Sequence, residues 1–486
     1  MAGSQIAIRG GRVKALLGVL ALVGLAIGLA VALSGGKGKL VPGAGNRSGT
    51  YDPLAYTPAR AAEFERNAAA GESHVVYAKS PGGVIATARR TARYRGVIER
   101  LAAPAGIDPN VLEGIVFLES AGRPDVIAGS DPANASGLTQ ILAETGSNLL
   151  GMHVNLAASR RLTKKIARAK TAKRVRRLEA ARRRVDARFD PAKAIAATIR
   201  YLQIAKRALG RDDLAVTSYH MGIGNLQTVL RDYSPGSKPR DLSYVQVYFD
   251  SSPLRHRAAY NLLSRFGDDS SNYYWKVLAA EQIMRMYRTN LPRLERISAL
   301  QNARASAEEV LHPEGSTTQY ANPAEIARDA ATGRLVPLPN DPKRYAFRVD
   351  PLLGQFAGRL HRRRALYMHL RPEALGLLIY MALGTRAIGA PSTPLLVTSA
   401  VRDERYQHLV AAANIEATHG YSLHTTGFTF DIRRAYSSHR EALAFQFMLD
   451  RLQAMNLIAW VREPEAIHVT VSSAARVLHP LVPGRG

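Results

Sequence analysis

Two groups of residues on this chain have the types and spacing that break bonds, and about three hundred residues separate them. The first centres on Glu119. Leu112, Ile115 and Val116 precede it by seven, four and three residues, so all four share one face of a helix. A carboxylate on an apolar face is costly to ionise. Its pKa should rise, and a proton retained near neutral pH is what a general acid needs. The plainer reading of Glu119 is a capping or salt-bridged residue at a helix end. The second group is His424, Asp431 and His468, with Glu465 just before the last. Phe428-Thr429-Phe430-Asp431-Ile432 alternates, which turns Asp431 to one side of a strand, and Ile467-His468-Val469 does the same for His468. Two adjacent strands would present both to one point. His424 stands seven residues before Asp431, across the turn Thr425-Thr426-Gly427. Three N/O donors leave a fourth zinc position open for chemistry. Glu465, three residues before His468, is placed to act as general base, and His419 is a lesser substitute ligand. The chain has no cysteine, so any zinc must rest on histidine and carboxylate.

The elements that hold these groups divide the chain. Its 486 residues allow roughly two to three domains of ~150 residues each. A hydrophobic fraction of 46% with 22% charged residues indicates packed cores and not disorder. Residues 1–13 read as a cytoplasmic N-terminus and 14–34 as a transmembrane anchor or signal peptide. Ala15 to Ser34 carries no charge over twenty residues, with Arg9, Arg12 and Lys14 before it. Ala30-Val31-Ala32 would suit cleavage, so the alternative to a single-pass membrane protein facing outward is a secreted one. Residues 35–84 are rich in Gly, Pro and Ser and read as a stalk. From 85 to 300 the pattern is helical. Asp108-Pro109 and Asp190-Pro191 start helices, and Gly210 ends one. Residues 301–345 are polar and proline-broken and read as a linker that lets two domains work on one stretch of substrate. Over 346–480, helices near 366–388 and 439–455 alternate with β-like runs at Leu395–Ser399, Phe428–Ile432 and Ile467–Val471, an α+β texture.

The formal net charge is +27, and much of it is local. Residues 160–188 hold fourteen Lys/Arg against Glu179 and Asp186, a balance of +12. The bland reading is a solvated helical insert. The functional one is contact with an anionic wall polymer or lipid headgroups. Nucleic acid is the least favoured, since no aromatics interleave with the basic residues.

Glu119-Ser120, Ser136-Gly137-Leu138-Thr139-Gln140 and Ser218-Tyr219-His220-Met221-Gly222-Ile223-Gly224-Asn225-Leu226 occur in that order. Together they resemble the soluble lytic transglycosylase family, whose fold is like goose-type lysozyme. The resemblance implies a mainly α domain that cleaves the MurNAc–GlcNAc bond of peptidoglycan to a 1,6-anhydro product. Glu119 would be its acid and then base, while Ser120, Gln140, Tyr219 and Asn225 would line the sugar cleft or hold its geometry. No cofactor is implied, nor the second carboxylate of the usual glycosidases. The chain departs from the pattern in a longer loop between Glu119 and Gly137, in Thr139 and His220, and in the basic insert.

Ser422-x-His424-x-x-Gly427-x-x-x-Asp431, Glu465-x-x-His468, and Ser399-Ala400-Val401-Arg402 followed by Gln407 resemble the D-alanyl-D-alanine carboxypeptidase/VanY-like zinc peptidases, which share the hedgehog fold. That resemblance implies Zn2+ on His424, Asp431 and His468, with Glu465 as base. Arg402 would polarise the scissile carbonyl, and Gln407 would lie at the substrate. Thr429 and Ile467 depart from the pattern, so carboxypeptidase, endopeptidase and a non-catalytic binding domain stay open. The expectation is a multidomain cell-wall enzyme, with a wall-binding scaffold as the rival.

Overall fold

Asp108 accepts a hydrogen bond from the Asn110 N–H (2.8 Å), and Pro109 supplies the first helical position, so a helix begins there. The computed structural model describes residues 40–43, 51–414 and 417–484. The expected anchor at 14–34 lies outside them. Among the described residues no helix is long and apolar enough to cross a membrane.

The chain up to residue 301 is helical: α1 (Ala61–Gly71), α2 (Ser73–Ala78), α3 (Val84–Ala92), α4 (Arg95–Ala102), α5 (Pro109–Ser120), α6 (Leu156–Ala167), α7 (Ala172–Val185), α8 (Pro191–Leu209), α9 (Asp212–Met221), α10 (Ile223–Tyr233), α11 (Tyr244–Asp250), α12 (Arg257–Ser271), α13 (Tyr273–Thr289) and α14 (Leu291–Gln301). Helix α5 lies along α13 at close range, because Gly114 has no side chain. A Cβ there would sit 3.0 Å from the Val277 carbonyl oxygen. That approach brings the C-terminal turn of α5, with Glu119, beside the N-terminal turn of α13.

After α5 the chain turns at Ala121 and Gly122, both left-handed, and runs through a long loop to Gly137. Gly137 has φ 83°, and a Cβ on it would lie 1.9 Å from the Arg188 carbonyl oxygen, so only glycine fits. Arg188 is fully buried. Its guanidinium donates to Asp186 (2.7 and 3.0 Å) and to the carbonyls of Pro132 (2.6 Å), Asn134 (3.1 Å) and Ile141 (3.0 Å). A charge so thoroughly paired can be buried without a large net cost, and it ties the loop to the root of the basic segment. That segment is a helical hairpin in which α6 and α7 pack against each other.

The C-terminal part holds α15 (Glu308–Leu311), α16 (Pro323–Ala331), α17 (Pro342–Tyr345), α18 (Pro372–Gly389), α19 (Glu404–Ala413) and α20 (His439–Ala454). Its strands are β1 (Val336–Pro337), β2 (Phe347–Val349), β3 (His369–Leu370), β4 (Leu395–Ser399), β5 (Thr429–Arg433), β6 (Ile458–Arg462) and β7 (Ala466–Val471). β1 and β3 form a small antiparallel pair. The other five make one sheet in the order β2-β4-β5-β7-β6, parallel only between β2 and β4. Phe430 and Ile432 are buried in the core that α18 and α20 share with the sheet. The alternation therefore turns Asp431 to the opposite face.

Two expectations need correction. Residues 51–84, read as a stalk, are folded: Phe64, Ala68 and Ala69 of α1 and Val76 and Tyr77 of α2 are buried. Their helices are short and interrupted, so no long period shows in the sequence. Residues 301–345, read as a linker, are also packed. Pro323 and Pro342 open helices, and Tyr320, Ile326 and Leu335 are buried. His312 bonds to the Val471 carbonyl (2.6 Å) and stacks on Phe428. The helical and sheet-bearing parts also share one continuous core. The Tyr380 hydroxyl donates to Asp52 (2.9 Å), and Arg451 of α20 donates to the carbonyls of Phe249 (2.7 Å) and Ser251 (2.8 Å).

Candidate active sites

Glu119 occupies the last turn of α5, half-buried at the floor of a cleft of about 300 Å³. Phe117, Ser120, Arg123, His220, Tyr273 and Lys276 are among its walls. Burial pushes the Glu119 pKa up to about 7, and the hydrogen bond it receives from Tyr273 (2.7 Å) only partly offsets this. Its place among the converging carbonyls of a helix C-terminus works in the same direction as burial. The carboxyl is thus poised to hold a proton near neutral pH and release it on demand.

Tyr273 was not among the residues singled out from the sequence, yet it organises the site. It stacks against Tyr219 (6.2 Å between ring centres) and His220 (5.3 Å). The only sequence sign is the aromatic run Tyr273-Tyr274-Trp275, which reads equally well as core. Tyr219 donates to the Thr139 carbonyl (2.7 Å) and so pins the Gly137–Gln140 turn beside the aromatic stack. His220 bonds Ser270 through Nδ1 (2.9 Å), and burial lowers its pKa.

The other expected residues play quieter parts. Ser120 is buried, lines the cleft, and donates to the Val116 carbonyl (3.3 Å). Gln140 donates to the carbonyls of Gly137 (2.8 Å) and Val126 (3.2 Å), so it holds the loop. Asn225 is exposed, donates to the Met221 carbonyl (2.9 Å), and is not among the residues lining this cleft.

The second site is a pocket of about 350 Å³ on the sheet face opposite α18 and α20. His424, Asp431 and His468 meet there, each offering a ligand atom within 4.8 Å of the others. Asp431 and His468 are register partners on β5 and β7. His424 Nδ1 bonds to the Ala400 carbonyl (2.9 Å), which turns Nε2 toward Asp431 (3.2 Å). Burial lowers the His424 pKa to about 4, so it is neutral, as a metal ligand must be. The donor set, two imidazoles and a carboxylate on one point with one imidazole oriented by a backbone carbonyl, fits zinc.

Arg402 is where the sequence pointed. It lines the pocket and donates to Ser399 (2.7 Å) and to Gln407 (2.9 Å), and Gln407 in turn holds the Thr418 carbonyl (3.0 Å). Glu465 is not. It is exposed in the turn between β6 and β7 and does not line the pocket. Glu465 sits in the bend before β7, outside the alternation that turns His468 to the pocket. Glu463 faces the pocket instead. It pairs across the turn with Ala466, two residues from His468 and on the same face. A second carboxylate arrives from the segment expected to be a linker: buried Glu308 of α15 places Oε2 3.7 Å from His468 Nε2.

Residues 96–239 match the family described as Transglycosylase SLT domain. No curated protein matches the chain. The matched range takes in all three motifs around Glu119, ends before Tyr273, and does not reach the His424–Asp431–His468 site. It supports lytic transglycosylase activity, with peptidoglycan as substrate.

Proposed function

We propose that this chain remodels peptidoglycan with two activities in one molecule: lytic cleavage of glycan strands at Glu119 and zinc-dependent cleavage of stem peptides at His424, Asp431 and His468. The observation that carries the first is a half-buried, proton-retaining Glu119, bonded to Tyr273, inside the matched domain. Glu119 gives its proton to the oxygen of the MurNAc–GlcNAc bond as that bond breaks. The carboxylate left behind then takes the proton of the muramoyl 6-hydroxyl as its oxygen bonds to C1, which closes the 1,6-anhydro ring. Tyr273 holds Oε1 and leaves Oε2 for the sugar oxygens. An intramolecular nucleophile needs no second carboxylate.

At the second site His424, Asp431 and His468 would hold zinc, which when bound supplies Lewis-acid polarisation of a peptide carbonyl. Arg402, fixed by Ser399 and Gln407, orients that carbonyl or a neighbouring carboxylate of the stem peptide. Glu463, on the pocket wall, takes the role of proton acceptor that the sequence assigned to Glu465. We place both activities outside the cytoplasmic membrane, on a chain anchored or exported through residues 14–34.

Mass spectrometry of one peptidoglycan preparation, digested by wild type, Glu119→Gln and His468→Ala, tests both halves. Glu119→Gln should lower anhydro-muropeptide formation by about 100-fold or more. His468→Ala should keep that activity and lose peptide trimming. Anhydro products from Glu119→Gln at the wild-type rate would refute the first assignment, and unchanged trimming by His468→Ala the second.

A further inference from the structure

The α6–α7 hairpin divides its charges in two. At the root every acidic residue of the neighbouring loop is committed to a cation: Asp125 pairs with Arg182 (3.2 Å) and Arg183 (3.0 Å), and Asp131 with Arg160 (2.9 Å). Beyond the root the cations are bare. On α6 and its C-cap, Arg161, Lys164, Lys165 and Arg168 follow the i, i+3, i+4, i+7 rhythm of one helix face. Lys173, Arg176 and Arg177 share a face of α7 at i, i+3 and i+4. All are exposed, and among the described residues none has an ion-pair partner. Glu179 is the only acidic residue between 161 and 184. So many like charges on two helices about 20 Å long repel one another and lower the stability of the hairpin unless an anion answers them.

We propose that this hairpin is a docking surface for a linear polyanion with repeating phosphate groups, carried on or beside the glycan strand cut at Glu119. Three features select that partner. The cations form stripes and not a single cluster, which matches charges repeated along a chain. At the tip, Lys165, Arg168, Lys170, Thr171 and Arg174 enclose a basin of about 440 Å³ in which a phosphate can be met from several sides. No large apolar side chain of the hairpin is exposed, so it lacks what an interfacial helix sinks into lipid and what single-stranded nucleic acid stacks upon. The hairpin is also rooted at Asp125, just past the end of the Glu119 helix, and Arg123 between them lines the cleft. Positive charge therefore lies at both ends, on the bare stripes of the hairpin and at Arg123 on the cleft wall, with the paired root between them.

The test uses the full chain carrying Glu119→Gln, so that binding is read without cleavage. It is compared with the same protein bearing Lys164→Gln, Lys165→Gln, Arg168→Gln, Lys173→Gln, Arg176→Gln and Arg177→Gln. Glutamine is a good helix former, and circular dichroism should be unchanged. The probes are a poly(glycerol phosphate) chain, phosphatidylglycerol vesicles and an oligothymidylate. Wild-type hairpin should bind poly(glycerol phosphate) tightest, with affinity falling steeply with salt, and the six substitutions should weaken it at least tenfold and flatten the salt dependence. Equal binding by both proteins would overturn the proposal, as would tighter binding of vesicles or oligothymidylate by the unsubstituted hairpin. Failure of Glu119→Gln to abolish cleavage in the separate product assay would leave this result standing, so the two readings fail independently.

Discussion

Glu119 keeps its proton because the protein strips it of water, and Tyr273 tempers that by bonding preferentially to the ionised form. Two consequences follow for pH. As a general acid, Glu119 should give kcat/KM a descending limb centred near pH 7. Tyr273→Phe removes a bond that favours the carboxylate, so the limb should move to higher pH while kcat falls. A limb unmoved in this variant would mean that Glu119 is not the titrating acid. The stability effect has the opposite sense to that of a salt-bridged carboxylate. A folded pKa above the ordinary 4.5 means that the contribution of Glu119 is present below pH 4.5 and is lost as pH rises through about 7. Glu119 was legible in the sequence because its apolar neighbours lie within two helical turns. Tyr273 was not, since it meets Glu119 from 154 residues away and only the packing of α5 on α13 joins them.

At the scale of elements, the hairpin β6–β7 and the short helix α15 decide what surrounds His468. The strand pattern of Phe428–Ile432 and Ile467–Val471 was readable by alternation, and with it the convergence of Asp431 and His468. The turn was not, because a residue in a turn has no fixed face, and Glu463 rather than Glu465 follows the pocket. Glu308 was hidden for another reason: its segment is proline-broken and gave no sign that it packs on the sheet. Metal-binding histidines commonly give their second ring nitrogen to a carboxylate, which orients the ring. Glu308 stands on that side of His468. Glu308→Gln should therefore weaken zinc binding by about 10–100-fold, measured by competition with a chelator, at unchanged stoichiometry. An unaltered zinc affinity would show that Glu308 does not support the ring, and absence of zinc from wild type would instead sink the metal assignment itself.

At the scale of the molecule, the expectation of two bodies on a flexible tether gives way to a shared core. Arg451 is the clearest seam. It is packed against Tyr248, Phe249 and Phe447 while it caps two carbonyls of the helical part. Calorimetry should find one cooperative transition, and Arg451→Ala should destabilise the whole by about 2–4 kcal/mol. Two resolved transitions in wild type would contradict the shared core. The domain types were readable from their motifs, but the seam was not, because its contacts pair residues about two hundred positions apart or more and no local pattern announces them.

The Asp52–Tyr380 bond spans 328 positions, and α1 rests its Gly71 against the backbone of Gln453, at the end of α20. Helix α1 packs on α11 and α13, with Phe64 against Phe249, but its C-terminal end is covered only once α20 exists. A chain emerging from the ribosome would carry that end of α1 uncovered through most of its synthesis, and closing so long a loop is slow. Refolding should accordingly show its slowest phase in a probe at the Gly71–Gln453 contact, with the α5–α13 pair formed well before it.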